Sequence, residues 1–138
     1  MRSSKITRGL QRILGYGNLY TVGGYVVIHV NDLNRAVNWY CDKLGLCVLP
    51  DNSYSGEVHL GYQQSDENVM IVLFPIPEGK SFFSNRHPIL FTKKLDAVHA
   101  EFASFEIQTG PIQSDSGGNR FFCFRDLEGN EIEVCVEP

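Results

Sequence analysis

The chain carries one pattern twice. Tyr25-Val-Val-Ile-His29-Val-Asn-Asp32-Leu33 reads as a strand running into a helix, and His87-Pro-Ile-Leu-Phe91-Thr-Lys-Lys94-Leu95 repeats that plan about 62 residues later. Each half then closes on an apolar strand, 69–74 in the first and 132–136 in the second. Repeats of this length also build longer arrays, but here two copies fill the chain. Two copies of a strand–helix–strands unit can face each other around a cleft. The duplication therefore constrains architecture strongly and reaction weakly.

Local patterning supports the plan. Val26, Ile28 and Val30 alternate with Tyr25, Val27 and His29, so the first strand has two distinct faces. Asp32 suits the N-cap of a helix whose stripe is Leu33, Ala36, Val37, Tyr40 and Leu44, and Gly45 suits its end. Strands are predicted near 46–49, 57–62 and 68–74. In the second half a strand from His87 precedes a helix carrying Leu95, Val98 and Phe102, and strands follow near 106–112, 120–125 and 131–136. Lys93-Lys94 replaces the capping acid at the second helix. Asp126-Leu-Glu-Gly129-Asn130 reads as a tight hairpin turn, and 75–86 and 114–119 read as mobile loops able to cover a site.

Composition narrows the function classes. At 138 residues the chain predicts one domain over 25–138, with modules at about 25–75 and 87–137. Residues 1–24 form an N-terminal extension in which Ile6, Leu10, Ile13 and Leu14 approach the spacing of a short helix. A formal charge of −4 argues against nucleic-acid or anionic-membrane surfaces, and no apolar run approaches the length of a membrane span. Cys41, Cys47, Cys123 and Cys135 show no CxxC spacing and read as buried thiols of a cytoplasmic protein. His59 and His99 read as surface residues of a strand and a helix.

The strand–Asp32-Leu33–helix unit with Trp39-Tyr40 and Leu44-Gly45, and the terminal Phe124-Arg-Asp126-Leu-Glu-Gly129-Asn130-Glu-Ile-Glu133, resemble the vicinal oxygen chelate superfamily. That group contains glyoxalase I, bleomycin-resistance proteins, fosfomycin-resistance enzymes and extradiol dioxygenases. The resemblance covers about 24–137. It implies an α+β fold in which two βαβββ modules curl a mixed sheet into a cup, helices outside, commonly as a homodimer. It also implies which side chains face the cup: Tyr25 and His29 from the first strand, then Met70, Val72 and Phe74. From the second module come His87, Phe91, Phe121, Cys123 and Glu133.

The family's metal site takes one ligand from each of four strands, here Tyr25, Val72, His87 and Glu133. Val72 cannot coordinate, and the Tyr25 phenol must first lose a tightly held proton. Only His87 and Glu133 remain as residual metal candidates, one short of the three protein ligands of a catalytic centre. His29 stands four residues further along its strand than Tyr25, a shift of about 13 Å. Its aligned position in glyoxalase I contacts substrate, which implies a polar ligand contact instead. These readings favour a small-molecule binder for an apolar or aromatic ligand, with no cofactor or catalytic metal expected and enzyme activity left open. The alternatives are a metal-dependent lyase or dioxygenase with a degenerate site, and a pseudo-enzyme acting through protein interaction.

Overall fold

A computed structural model describes residues 18–50, 56–62, 69–82 and 87–137. The helix expected in the N-terminal extension lies outside those residues. The first module runs β1 (Val26–Val30), α1 (Leu33–Leu44), β2 (Cys47–Val48), β3 (Val58–Gly61) and β4 (Ile71–Pro75). The second runs β5 (Ile89–Thr92), α2 (Leu95–Ser104), β6 (Gln113–Ser114), β7 (Arg120–Arg125) and β8 (Glu131–Val136). Each module makes its own four-stranded sheet, ordered β1-β4-β3-β2 and β5-β8-β7-β6. The β1–β4 and β5–β8 pairs are parallel and the remaining pairs antiparallel. The fold is α+β with two βαβββ modules, as the resemblance implies, but the two sheets are not closed into one.

Alternation decides which face of each strand is buried. Ile28 and Val30 of β1, Ile71 and Leu73 of β4, and Leu60 of β3 pack with α1 through Ala36, Tyr40 and Leu44. Phe122, Phe124, Ile132 and Val134 do the same beneath α2, meeting Val98 and Phe102. Phe102 meets Phe122 and Phe124 edge-on, with centroids 5.7 and 4.9 Å apart. Both sets belong to one buried cluster, so the two modules share a core.

Helix ends follow the sequence. The Asp32 side chain accepts from Arg35 N at 3.2 Å, and Gly45 takes the left-handed conformation at φ 72° that ends α1. Lys94 gives α2 no side-chain cap, although Thr92 Oγ1 accepts from Lys94 N at 3.0 Å just before it.

Two expectations change. The strand predicted near 106–112 holds only an isolated bridge, Thr109 to Phe124, and the paired strand is Gln113–Ser114. Glu106 leaves α2 at φ 61° and Pro111 has no N–H to donate, so a regular ladder cannot start there. His99 is half-buried rather than a free surface residue: its Nε2 lies 2.8 Å from Gly110 O, and its ring meets Phe122 edge-on at 4.8 Å.

The modules are joined by the turn between β7 and β8. Asp126, only 6% exposed, accepts from Tyr40 Oη at 2.7 Å, from Glu128 N and Asn130 N at 2.9 Å each, and from Asn130 Nδ2 at 2.9 Å. Gly129, at φ 86°, allows the turn to close. Glu128 then reaches the first module, accepting from Asn31 N at 2.7 Å and Asp32 N at 2.8 Å. Asn130 Nδ2 also donates to His29 O at 3.2 Å. Burial, then the neighbouring Asp126 charge and hydrogen bond, push the Tyr40 phenol well above its ordinary value, so it remains a neutral donor.

Tyr40→Phe keeps the ring and removes the donor facing a buried carboxylate. It is expected to lower the unfolding free energy by about 2 kcal/mol in a denaturant titration with unchanged slope. A loss within measurement error would show that the bond is not stabilising.

Candidate ligand cleft and donor cluster

β1 has one paired edge, against β4, and its other edge faces the β7–β8 turn. Between them opens a cleft of about 850 Å³. Its walls come from Val27, His29 and Asn31 on the first module, from Lys80 and Phe82 after β4, and from His87, Glu128 and Asn130 on the second. The Glu128 and Asn130 contacts to the β1–α1 corner set the spacing of these walls.

One wall is aromatic. The His29 imidazole stacks on Phe82 with centroids 3.6 Å apart and planes 18° from parallel, and on Phe74 at 5.7 Å and 26°. Phe82 is 53% exposed, so this stack presents a ring to solvent. Burial holds the His29 pKa below its ordinary 6.5, which favours the neutral ring.

A second constellation lies on the sheet of the second module. Cys123 on β7 stands directly opposite Glu133 on β8, and Glu133 is the parallel partner of Ile89 on β5. His87 sits two residues before Ile89, with the backbone tied by Glu133 N donating to Pro88 O at 2.9 Å. His87 Nε2 lies 2.9 Å from Glu133 Oε1, and Cys135 Sγ donates to Glu133 Oε2 at 2.6 Å. The donor atoms of His87, Cys123 and Glu133 all fall within 4.8 Å of one another. Burial, with Glu131 and Glu133 nearby, pushes the Cys123 thiol up to about 11. Burial and the Glu133 carboxylate push Cys135 up to about 12. Neither is an activated nucleophile in this state.

The residues expected at a site are thus distributed over several environments. His29 and His87 line the cleft. Phe74 backs the His29 stack. Glu133 and Cys123 join His87 in the donor cluster. Phe91 is engaged by Tyr20, whose backbone pairs with it at 2.9 and 2.8 Å and whose ring lies 6.2 Å away; Tyr20 Oη also donates to Glu137. Phe121, half-buried, pairs with Gln113 and Cys135 across its strands. Met70 and Val72 are buried at 5% and 2% exposure, whereas Tyr25 is 56% exposed.

Two of the four positions that the resemblance aligns with the superfamily's metal site therefore offer no ready metal donor. Val72 offers a buried isopropyl group where a donor is required, and Tyr25 offers an exposed phenol. Of the loops expected to cover a site, 114–119 is a fastened hairpin turn: Asp115 accepts from Gly117 N at 2.8 Å, Asn119 N at 2.9 Å and Asn119 Nδ2 at 3.1 Å. Phe82, in the other loop, reaches the cleft. Sequence reasoning did not single out Phe82, Asn31 or Glu128 for the site. An aromatic residue in a Gly- and Pro-containing loop was the available signal for Phe82, but nothing local announces a Glu128 contact spanning 96 residues.

Paired βαβββ modules flanking a cleft define the class of fold. The Glyoxalase/Bleomycin resistance protein/Dioxygenase superfamily model matches residues 24–134, and the chain belongs to that superfamily. Solved structures agree. A member of the same superfamily from Sphaerobacter thermophilus DSM 20745 is 18% identical, with a TM-score of 0.67 over 85% of this chain and 98% of its own. Lactoylglutathione lyase from Agrobacterium tumefaciens is 19% identical, with a TM-score of 0.62 over 84% and 94%. A genomically encoded fosfomycin resistance protein from Listeria monocytogenes is 13% identical, at 0.58 over 86% and 94%. At these identities the likeness is one of fold. No curated protein sequence matches the chain. Among the described residues, no helix is long and apolar enough to cross a membrane.

The His29 environment has a pH signature. Its folded pKa lies below the 6.5 of an unfolded histidine, so the unfolded chain binds its proton more readily. The stability this group contributes is intact above 6.5 and is lost as pH falls through the folded value. A ring-proton NMR titration should place the His29 midpoint below 6.5; a midpoint at or above 6.5 would contradict the burial argument.

Proposed function

We propose that the protein binds a small, planar, apolar or aromatic molecule in the cleft between its modules, without the superfamily's cross-module catalytic metal. The observation that supports this reading is the His29 stack. An imidazole in stacking contact with Phe74 and with an exposed Phe82 offers a flat aromatic surface beside polar groups from Asn31, Lys80, His87 and Glu128. A ring inserted there would gain stacking from one wall and hydrogen-bond partners from the other. Burying ~200 Å² of apolar ligand surface favours binding by about 5 kcal/mol before the entropic costs of association.

Donor chemistry favours binding over the superfamily's turnover chemistry. Enediolate and ring-opening reactions rely on Lewis-acid stabilisation by a metal for which two of the superfamily's four ligand positions here carry Val72 and Tyr25. His29, kept neutral by burial, serves as a stacking and hydrogen-bonding group.

Calorimetry against aromatic antibiotics and glutathione conjugates tests the reading. Wild type should bind at least one such compound at micromolar concentration. Phe82→Ala should weaken binding about tenfold, equivalent to about 1.4 kcal/mol. Affinity no better than millimolar across the series, or an unchanged affinity in Phe82→Ala, would remove its basis. Metal-supported isomerisation of a glutathione hemithioacetal by wild type but not by Glu133→Ala would favour a lyase instead.

A further inference from the structure

We infer that the second module carries a zinc site of its own, built from His87 Nε2, Cys123 Sγ and Glu133 Oε1. The site keeps two positions of the superfamily's four-position set, His87 and Glu133, and replaces the two first-module positions, Tyr25 and Val72, with Cys123. Cys123 occupies none of those four positions. The inference does not rest on the stacked-ring binding reading, with which it shares only His87.

The placement comes from the sheet. Cys123 and Glu133 are opposed on antiparallel strands, where facing side chains stand about 4.5–5.5 Å apart at Cβ. β5 brings His87 to the same face from the other side, anchored by the Glu133 N to Pro88 O bond. One nitrogen, from the residue leading into β5, one sulfur from β7 and one oxygen from β8 thus converge, with all donor atoms inside 4.8 Å. A tetrahedral ion with bonds of about 2.0–2.3 Å holds its ligands about 3.5 Å apart. Small rotations close that gap, and the His87 side chain, 43% exposed, has room to make them.

Donor identity selects the metal. Magnesium and calcium take oxygen ligands, and a thiolate does not suit them. A mixed nitrogen, sulfur and oxygen set with three protein ligands suits zinc, with a fourth position open to water or to a ligand atom. Cys135 acts as a positioning residue. Its thiol donates to Glu133 Oε2 and leaves Oε1 turned toward His87.

Cobalt substitution gives a readout that does not depend on activity. The full chain, stripped with a chelator under reducing conditions, is titrated with cobalt(II). One equivalent should produce a near-ultraviolet thiolate-to-cobalt charge-transfer band together with visible bands of tetrahedral cobalt, and zinc should abolish both. Cys123→Ser should lose the charge-transfer band and weaken zinc binding at least tenfold. Cys135→Ser and Tyr25→Phe should keep the band. On wild-type protein, zinc should protect Cys123 from alkylation while Cys41 reacts unchanged, a measurement that needs no variant to fold. No charge-transfer band in wild type, a band retained in Cys123→Ser, or alkylation of Cys123 at the same rate with and without zinc would each overturn the site.

Discussion

Everything that makes a cleft of this chain depends on one buried carboxylate. Asp126 gathers Tyr40 Oη, the amides of Glu128 and Asn130, and the Asn130 side chain. A buried charge without such partners would be strongly destabilising. With them, the turn becomes a rigid projection whose next residues can act on the other module. Glu128 satisfies the two backbone N–H groups where β1 enters α1, and Asn130 takes up the free carbonyl of His29. The contact is thus a chain of satisfied polar groups laid over a shared apolar core.

That arrangement explains why the cleft and the donor cluster are separate places with separate chemistry. The cleft lies along the free edge of β1, and its character comes from His29, Phe74 and Phe82. The cluster lies on β7, β8 and the segment leading into β5, and its character comes from the register that sets Cys123 opposite Glu133. His87 belongs to both, lining the cleft while meeting Glu133 at 2.9 Å. A molecule in the cleft and an ion in the cluster would therefore meet at one imidazole.

Much of the fold was legible in the sequence because burial in a sheet has a period of two. Ile28 and Val30 against Val27 and His29, and Phe122 and Phe124 against Phe121 and Cys123, assign faces without any structure. Asp32, Gly45 and Gly129 mark the helix and turn boundaries by local stereochemistry alone. The 106–112 segment failed because a left-handed Glu106 and Pro111 override an extended-looking composition. His87 with Glu133 was reached through the family resemblance, aligned on the repeat. Cys123 as their third partner was not, because a cysteine in an apolar strand has the same local signature whether it packs or ligates. The Glu128 contact spans 96 residues and leaves no trace in periodicity.

The dependence of the cleft on the β7–β8 turn can be read at two amides. Asn31 N and Asp32 N are fastened by Glu128 across the module boundary. Residue-resolved hydrogen exchange on wild type and on Glu128→Ala measures that fastening directly. Both amides should be protected in wild type and exchange far faster in the variant, while the amides of Ile71 and Val134 in the two sheets stay slow. Unprotected Asn31 and Asp32 amides in wild type, or equal protection in the variant, would show that the turn does not hold the modules together.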